Sequence, residues 1–108
     1  MANTFTSYVA KSVGTSASTL VTVAAATQTT VIGMTVANTT ASAITCDIYF
    51  TRSAVDYYII KSATVQPGTA FVAVGGDQKV VLTTGDALKV VTNTASSADV
   101  IASVLNIT

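Results

Sequence analysis

Ala43-Ile44-Thr45-Cys46-Asp47-Ile48-Tyr49-Phe50-Thr51 alternates apolar and polar residues with a period of two. Ile44, Cys46, Ile48 and Phe50 fall on one face, and Thr45, Asp47, Tyr49 and Thr51 on the other. Successive side chains of an extended chain point to opposite sides, so this stretch predicts a β-strand with one face in a core. A helix, at 3.6 residues per turn, scatters the same four apolar residues around its axis.

The neighbouring segments continue the pattern. Across residues 31–38, Ile32, Met34 and Val36 share a face and are expected in the core. Asn38-Thr39-Thr40-Ala41-Ser42 then reads as a hairpin loop. Residues 20–26 are expected as an earlier strand, because Val and Thr are stiff at the β-carbon and favour extended backbone over the Ala24-Ala25-Ala26 run. Residues 56–65 carry Tyr57, Tyr58, Ile59 and Ile60, apolar on both faces. Pro67-Gly68 suits the centre of a type II turn, since Pro presets φ and Gly accepts a positive one. Gly75-Gly76-Asp77 between two apolar runs signals a hairpin, and Thr84-Gly85-Asp86 a further turn. That turn feeds a strand with Leu88 and Val90 on its core face. Along residues 99–107, Ile101, Leu105 and Ile107 share one face and Val100, Ala102 and Val104 the other. Apolar residues on both faces imply cover on both sides, and in so small a domain the second cover is expected from another subunit.

Eight or nine short strands with regular turn spacing predict an all-β fold, a single antiparallel β-sandwich of jelly-roll type. Residues 19–108 form this domain. Residues 1–18, Ser/Thr-rich and weakly patterned, are an N-terminal arm or an edge strand. Phe5 and Tyr8 in that segment lack obvious internal partners, so they are candidate interface residues docking on a neighbour. Tyr57 and Tyr58 are the other candidates, because adjacent residues of a strand face opposite ways and one at least is left at the surface.

Composition narrows the function. The 108 residues are 50% hydrophobic and 9% charged, with five basic and five acidic side chains. An ordinary soluble domain is about one-quarter charged. A chain of zero net charge displaces few counterions from a phosphate backbone, so nucleic-acid binding is not expected. Nor is it drawn to anionic lipid. No stretch reaches the ~18 apolar residues of a membrane span, and residues 1–13 lack the basic and apolar regions of a signal peptide. So few charges around zero net charge favour association, and an oligomer or lattice is expected.

The chain is read as non-enzymatic. Without histidine there is no usual triad base, and nothing in the spacing of Lys11, Lys61, Lys79 or Lys89 supports a Ser–Lys pair. One cysteine makes no zinc cluster, and Cys46 on the apolar face reads as core filler. Asp77, Asp86 and Asp99 sit at turns or strand starts, where Asp bonds nearby backbone N–H groups. No dense Asp/Asn spacing marks a calcium loop, and no glycine pattern a phosphate cradle. Cofactors and metals are not expected.

Val80-Val81-Leu82-Thr83-Thr84-Gly85-Asp86-Ala87-Leu88-Lys89-Val90 resembles a "vLxxGDxLxV" turn and strand of small virion proteins of tailed bacteriophages. In those proteins a C-terminal "DVxxSVLxI" strand follows, similar here to Asp99-Val100-Ile101-Ala102-Ser103-Val104-Leu105-Asn106-Ile107. Val36-Ala37-Asn38-Thr39 resembles their "vaNtt" strand end. The likeness spans roughly the last two-thirds of the chain. It implies a β-sandwich built into a phage particle and assembled in the bacterial host cytoplasm. The expected role is that of a capsid decoration (cement) protein bridging the major capsid protein, with a neck, tail or baseplate position as the alternative. The resemblance implies a homo-oligomer, a trimer by preference, with other virion proteins as partners. From a different class, a host-surface glycan-binding module is the remaining alternative.

Overall fold

A computed structural model describes residues 3–74 and 79–108. Nine strands run in order: β1 (Asn3–Val13), β2 (Ser18–Thr22), β3 (Gln28–Asn38), β4 (Ile44–Arg52), β5 (Val55–Val65), β6 (Ala70–Val74), β7 (Val80–Leu82), β8 (Ala87–Thr92) and β9 (Ala98–Ile107). They form two antiparallel sheets. Sheet A is ordered β1-β9-β3-β6, with β7 also on β3, and sheet B is ordered β2-β8-β4-β5. Leaving the short β7 aside, β1 pairs with β9, β2 with β8, β3 with β6 and β4 with β5. Those nested pairs describe one long hairpin bent at β4–β5 and rolled up, which is the jelly-roll topology.

The core lies between the sheets. Val31, Met34 and Val36 from β3 and Val100, Ala102 and Val104 from β9 face Ile44, Cys46 and Ile48 from β4 and Leu88 and Val90 from β8, all buried. Phe50 is half-buried at the margin and packs against this cluster.

Three readings of the sequence change. Ile32 is half-buried and outside the core. The β3–β9 register shifts between Val31 and Gly33, so Ile32 is the extra residue of a bulge. A bulge breaks the period of two: Val31 points inward before it, Met34 and Val36 after it. Second, residues 38–42 do not close a hairpin, because β3 and β4 belong to different sheets. Buried Asn38 shapes this crossover. Its Nδ2 donates to the carbonyls of Ser42 (2.8 Å) and Val65 (2.9 Å), and its Oδ1 accepts from the Thr40 amide (2.9 Å). Third, β6 and β7 do not pair with each other. Both run antiparallel to β3, opposite residues 34–37 and 29–31 respectively, as successive stretches along one edge. Gly75, Gly76 and Asp77, read as the hairpin turn between them, lie outside the described residues.

The turns carry local chemistry. At Pro67-Gly68, Gly68 has φ +71° and the Thr69 amide donates to the Gln66 carbonyl (3.3 Å). The β4–β5 hairpin closes through Ser53 and Ala54, both at positive φ (53° and 62°), between the paired Arg52 and Val55. Two positive φ values in a two-residue loop make a type I′ turn, which matches the twist of the strands it joins.

The segment before β2 is sheet, not a detached arm: β1 runs along β9 from Asn3↔Ile107 to Val13↔Ala98. Edge strands β1 and β5 share one device. In β1 a bulge at Lys11-Ser12 faces Asp99, whose carboxylate accepts from the Ser12 amide (3.0 Å) and from Lys11 Nζ (3.1 Å). In β5 a bulge at Lys61-Ser62 faces Asp47, which accepts from the Ser62 amide (2.7 Å) and Lys61 Nζ (3.3 Å). Both serines have positive φ, 52° and 56°. Bulges and lysines on edge strands hinder the addition of a further strand. The Ser12 amide, and next the Lys11 ammonium, hold the Asp99 carboxyl below its ordinary range. The amide contact is expected to matter more for stability than the exposed ion pair. Asp99→Ala is therefore expected to lower the midpoint of urea unfolding more than Lys11→Ala does, and equal midpoints for the two variants would remove the amide contact from the account.

Candidate functional site

Eight large apolar or aromatic side chains are exposed among the described residues. Five of them, Phe5, Val9, Val72, Val81 and Ile101, lie on the outer face of sheet A. The registers place them in rows across the strands. Phe5 (β1), Leu105 (β9), Thr30 (β3) and Val81 (β7) form one row. Val9, Ile101, Thr35 and Val72 form another. Between them run Ser7, Ser103 and Gly33, with the bulged Ile32 beside the glycine. Two apolar ridges thus flank a row of small residues that the outward-turned Ile32 interrupts on β3. Lys11 and Asp99 stand at one end, paired with each other.

This geometry follows from the alternation along β1 and β9. Thr6, Tyr8 and Ala10 alternate with Phe5, Ser7 and Val9, and Val100, Ala102 and Val104 with Ile101, Ser103 and Leu105. Each inward set is buried or half-buried. The outward set therefore carries Phe5, Val9, Ile101 and Leu105, with Ser7 and Ser103 between them, on a face that no other element of the described chain covers.

The other three exposed side chains, Val55, Tyr57 and Tyr58, lie on β5 at the edge of sheet B. Tyr57 and Tyr58 are each 49% exposed and project from opposite sides of the strand. The Tyr57 ring stacks on Phe50 at 5.4 Å between centroids, and the Arg52 guanidinium lies 5.1 Å above the Phe50 ring. Tyr58 packs against Tyr49 at 5.0 Å, with Lys61 Nζ 4.7 Å from its ring centre. Burial, and next the Asp56 carboxylate, hold the Tyr49 phenol above its ordinary pKa. The Asp47 carboxylate raises the Lys61 ammonium. This ribbon is aromatic and charged, unlike the face of sheet A.

The remaining sequence-derived residues have structural placements. Tyr8 has internal partners that the sequence did not show: it is half-buried, packs on the core, and its hydroxyl accepts from Asn106 Nδ2 (3.2 Å). Phe5, on the opposite face of the same strand, is exposed. Cys46 is buried, and burial followed by the neighbouring Asp47 raises its thiol pKa, which works against thiolate chemistry. Gly85, at φ +90°, and Asp86 form the turn into β8. Asp86 is 1% exposed, and its carboxylate accepts from Arg52 Nε (2.9 and 3.1 Å), Arg52 Nη2 (2.6 Å) and the Thr83 amide (2.9 Å). The motif around Gly85-Asp86-Ala87-Leu88 is thus a buried polar lock that leads into the core residues Leu88 and Val90.

Among the described residues, no three His, Cys, Asp or Glu side chains converge as metal ligands do. A cleft of about 270 Å3 opens between the sheets beside Tyr8, Thr29, Thr27, Val23 and Asn106. It exists because β1, β3 and β9 extend past the five-residue β2. Sequence reading missed this cleft, the Arg52–Asp86 lock and the paired Lys-Ser bulges, since each depends on contacts between distant segments. Comparison of the chain with protein-family models, with curated protein sequences and with solved structures found no match.

Proposed function

We propose that this chain is a non-enzymatic structural component of a phage particle, a capsid decoration protein that stabilises the shell. The observation that carries the reading is the apolar outer face of sheet A. Contiguous exposed apolar surface marks an interaction site on a soluble domain, and so neutral a chain gains solubility when that surface is covered. The resemblance of residues 80–90 and 99–107 to small phage virion proteins supplies the context. Jelly rolls recur in viral capsid domains, an analogy of fold and not of site. Bridging shell subunits needs two separate contact surfaces, and the chain has two of different character: the apolar face of sheet A and the aromatic, charged ribbon of β4–β5. A protein that binds the assembled shell but not its separated subunits stabilises the shell by mass action.

Quantitative mass spectrometry of purified particles tests the proposal. The expected result is a copy number comparable to that of the major shell protein. A few rings of copies would move the chain to the neck, tail or baseplate, and its absence from particles would overturn the virion role.

The cleft between the sheets favours a second reading, glycan binding, because it sets threonine hydroxyls, the Tyr8 ring and the Asn106 amide beside the apolar Val21, Val23 and Ala24, a mixed lining that suits a sugar's polar edges and apolar face. A glycan array with no bound species disposes of it.

A further inference from the structure

The inner face of sheet A turns polar at one end. Its inward residues Val31, Met34 and Val36 on β3 and Val100, Ala102 and Val104 on β9 are apolar and buried. One step further along the strands, the same alternation brings Thr29 on β3, Asn106 on β9 and Thr4 on β1 side by side. Polar residues at core-facing positions lower stability unless they serve a purpose, and Thr29 is 1% exposed. Across from them, β2 and the residues after it contribute Val21, Val23 and Ala24. The cleft between the sheets therefore has one polar wall and one apolar wall. At about 270 Å3 it is just below the ~300–1,000 Å3 of small-molecule sites, a size that suits a single ring.

The polar wall is a chain of donors. Thr29 Oγ1 donates to Asn106 Oδ1 (2.7 Å), and Asn106 Nδ2 donates to the Tyr8 hydroxyl (3.2 Å). A phenol that accepts still has its own hydrogen to give, and Nδ2 carries a second one. Neither hydrogen meets an acceptor among the described residues. Two donors so close together match one oxygen that only accepts. A carbonyl oxygen has two lone pairs and no hydrogen, whereas a hydroxyl needs an acceptor of its own. No lysine, arginine or carboxylate side chain lines the cleft, so a charged guest would lose its hydration without gaining a counter-charge. The matching group is therefore a neutral carbonyl. A methyl beside that carbonyl would find apolar cover on Val21 and Val23, both buried. Among sugars, the acetamido group supplies this pair.

We propose that the cleft between the sheets takes an N-acetylamino sugar, its acetamide carbonyl accepting from Tyr8 and Asn106 and its methyl lying against Val21 and Val23. This rests on the glycan reading of the cleft and goes further by naming the class of sugar.

Titration of the isotope-labelled chain with N-acetylglucosamine and with glucose, followed by amide chemical shifts, tests it. N-acetylglucosamine is expected to shift the amides of Val21, Val23 and Asn106 with a Kd on the order of 1 mM, as suits one small ring. Glucose, with a hydroxyl in place of the acetamide, is expected to bind at least about tenfold more weakly, because the two donors are left without their carbonyl. Tyr8→Phe keeps the ring and removes one donor. It is expected to weaken N-acetylglucosamine about five- to tenfold and to narrow its advantage over glucose, with the circular dichroism spectrum unchanged. The comparison of the two sugars on the wild type stands whether or not that variant folds. Equal affinity for both sugars, shifts confined to residues away from the cleft, no shift with either sugar at about 50 mM, or a preference that a folded Tyr8→Phe leaves untouched overturns the inference. The two readings fail separately. Glucose bound at the cleft as tightly as N-acetylglucosamine, or an array that binds only sugars without acetamide, sinks the N-acetyl assignment and keeps the glycan reading, whereas a blank array with no shift from either sugar sinks both.

Discussion

Asp86→Ala is expected to lower the melting temperature by roughly 10–20 °C, the largest loss from any single polar substitution in this chain. The carboxylate sits at 1% exposure, at the point where the turn into β8 meets the end of β4. It satisfies the Thr83 amide and takes a forked contact from Arg52. Removing it strands the Thr83 N–H and leaves a guanidinium beside Phe50 without its counter-charge. Breaking a fully buried pair costs about 3–5 kcal/mol. Arg52 is 43% exposed and can be rehydrated, so the expected cost here is about 2–3 kcal/mol. A domain of this size loses about 4–8 °C per kcal/mol. Asp86→Asn keeps an acceptor for Thr83 and is expected to lose about half as much.

The same residue sets the acid limb of stability. The Arg52 guanidinium, and after it the Thr83 amide, hold the Asp86 carboxyl below its ordinary value, against the opposing effect of burial. A depressed folded pKa means that the unfolded chain binds the proton more readily. The contribution is complete above the unfolded aspartate value of about 3.9 and is lost as pH falls through the lower folded one. Asp99 adds in the same direction. Thermal melts of the wild type are expected to fall steadily below about pH 4, and those of Asp86→Asn to fall less steeply over that interval. Parallel slopes would remove Asp86 from the account.

The sequence made some of this visible and hid the rest for physical reasons. Ile44, Cys46, Ile48, Leu88 and Val90 were legible because their strands hold an unbroken period of two. The apolar second face of β9 was legible for the same reason, since Ile101 and Leu105 alternate with buried Val100, Ala102 and Val104. Which strands pair was not. The link after Asn38 is short and polar as a hairpin loop would be, yet it crosses between sheets. What decides this is long-range pairing, with β3 flanked by β9 and β6 and the Asn38 amide tied to Val65, twenty-seven residues away. The β4–β5 turn was hidden for the opposite reason. Ser53-Ala54 takes two positive φ values without glycine or asparagine, so its residue types gave no signal. Asp86 read as ordinary turn chemistry because its partner Arg52 lies thirty-four positions upstream. The candidate face combines both situations: its residues were visible strand by strand, whereas its rows exist only once the registers of β1, β9 and β3 are fixed.

Register at the β3 bulge yields the second large effect, a contrast between core positions that the sequence pattern ranks wrongly. Ile48→Ala, at 0% exposure in the middle of sheet B, is expected to cost about 3–4 kcal/mol, lost burial plus the cavity left behind. Ile32→Ala removes the same atoms from a residue that shares an apolar strand pattern, and is expected to cost less than about 1 kcal/mol because the bulge turns Ile32 outward. Val31→Ala sharpens the comparison. It deletes fewer carbons than Ile32→Ala yet is expected to cost more, since Val31 is fully buried. Urea unfolding of the three variants against the wild type makes the comparison. If Ile32→Ala proved as costly as Ile48→Ala and Val31→Ala nearly silent, β3 would be in the unbulged register. Gly33 would then no longer lie opposite Ser103, and the rows that Phe5, Val9, Ile101 and Leu105 form across β1, β9 and β3 would be displaced.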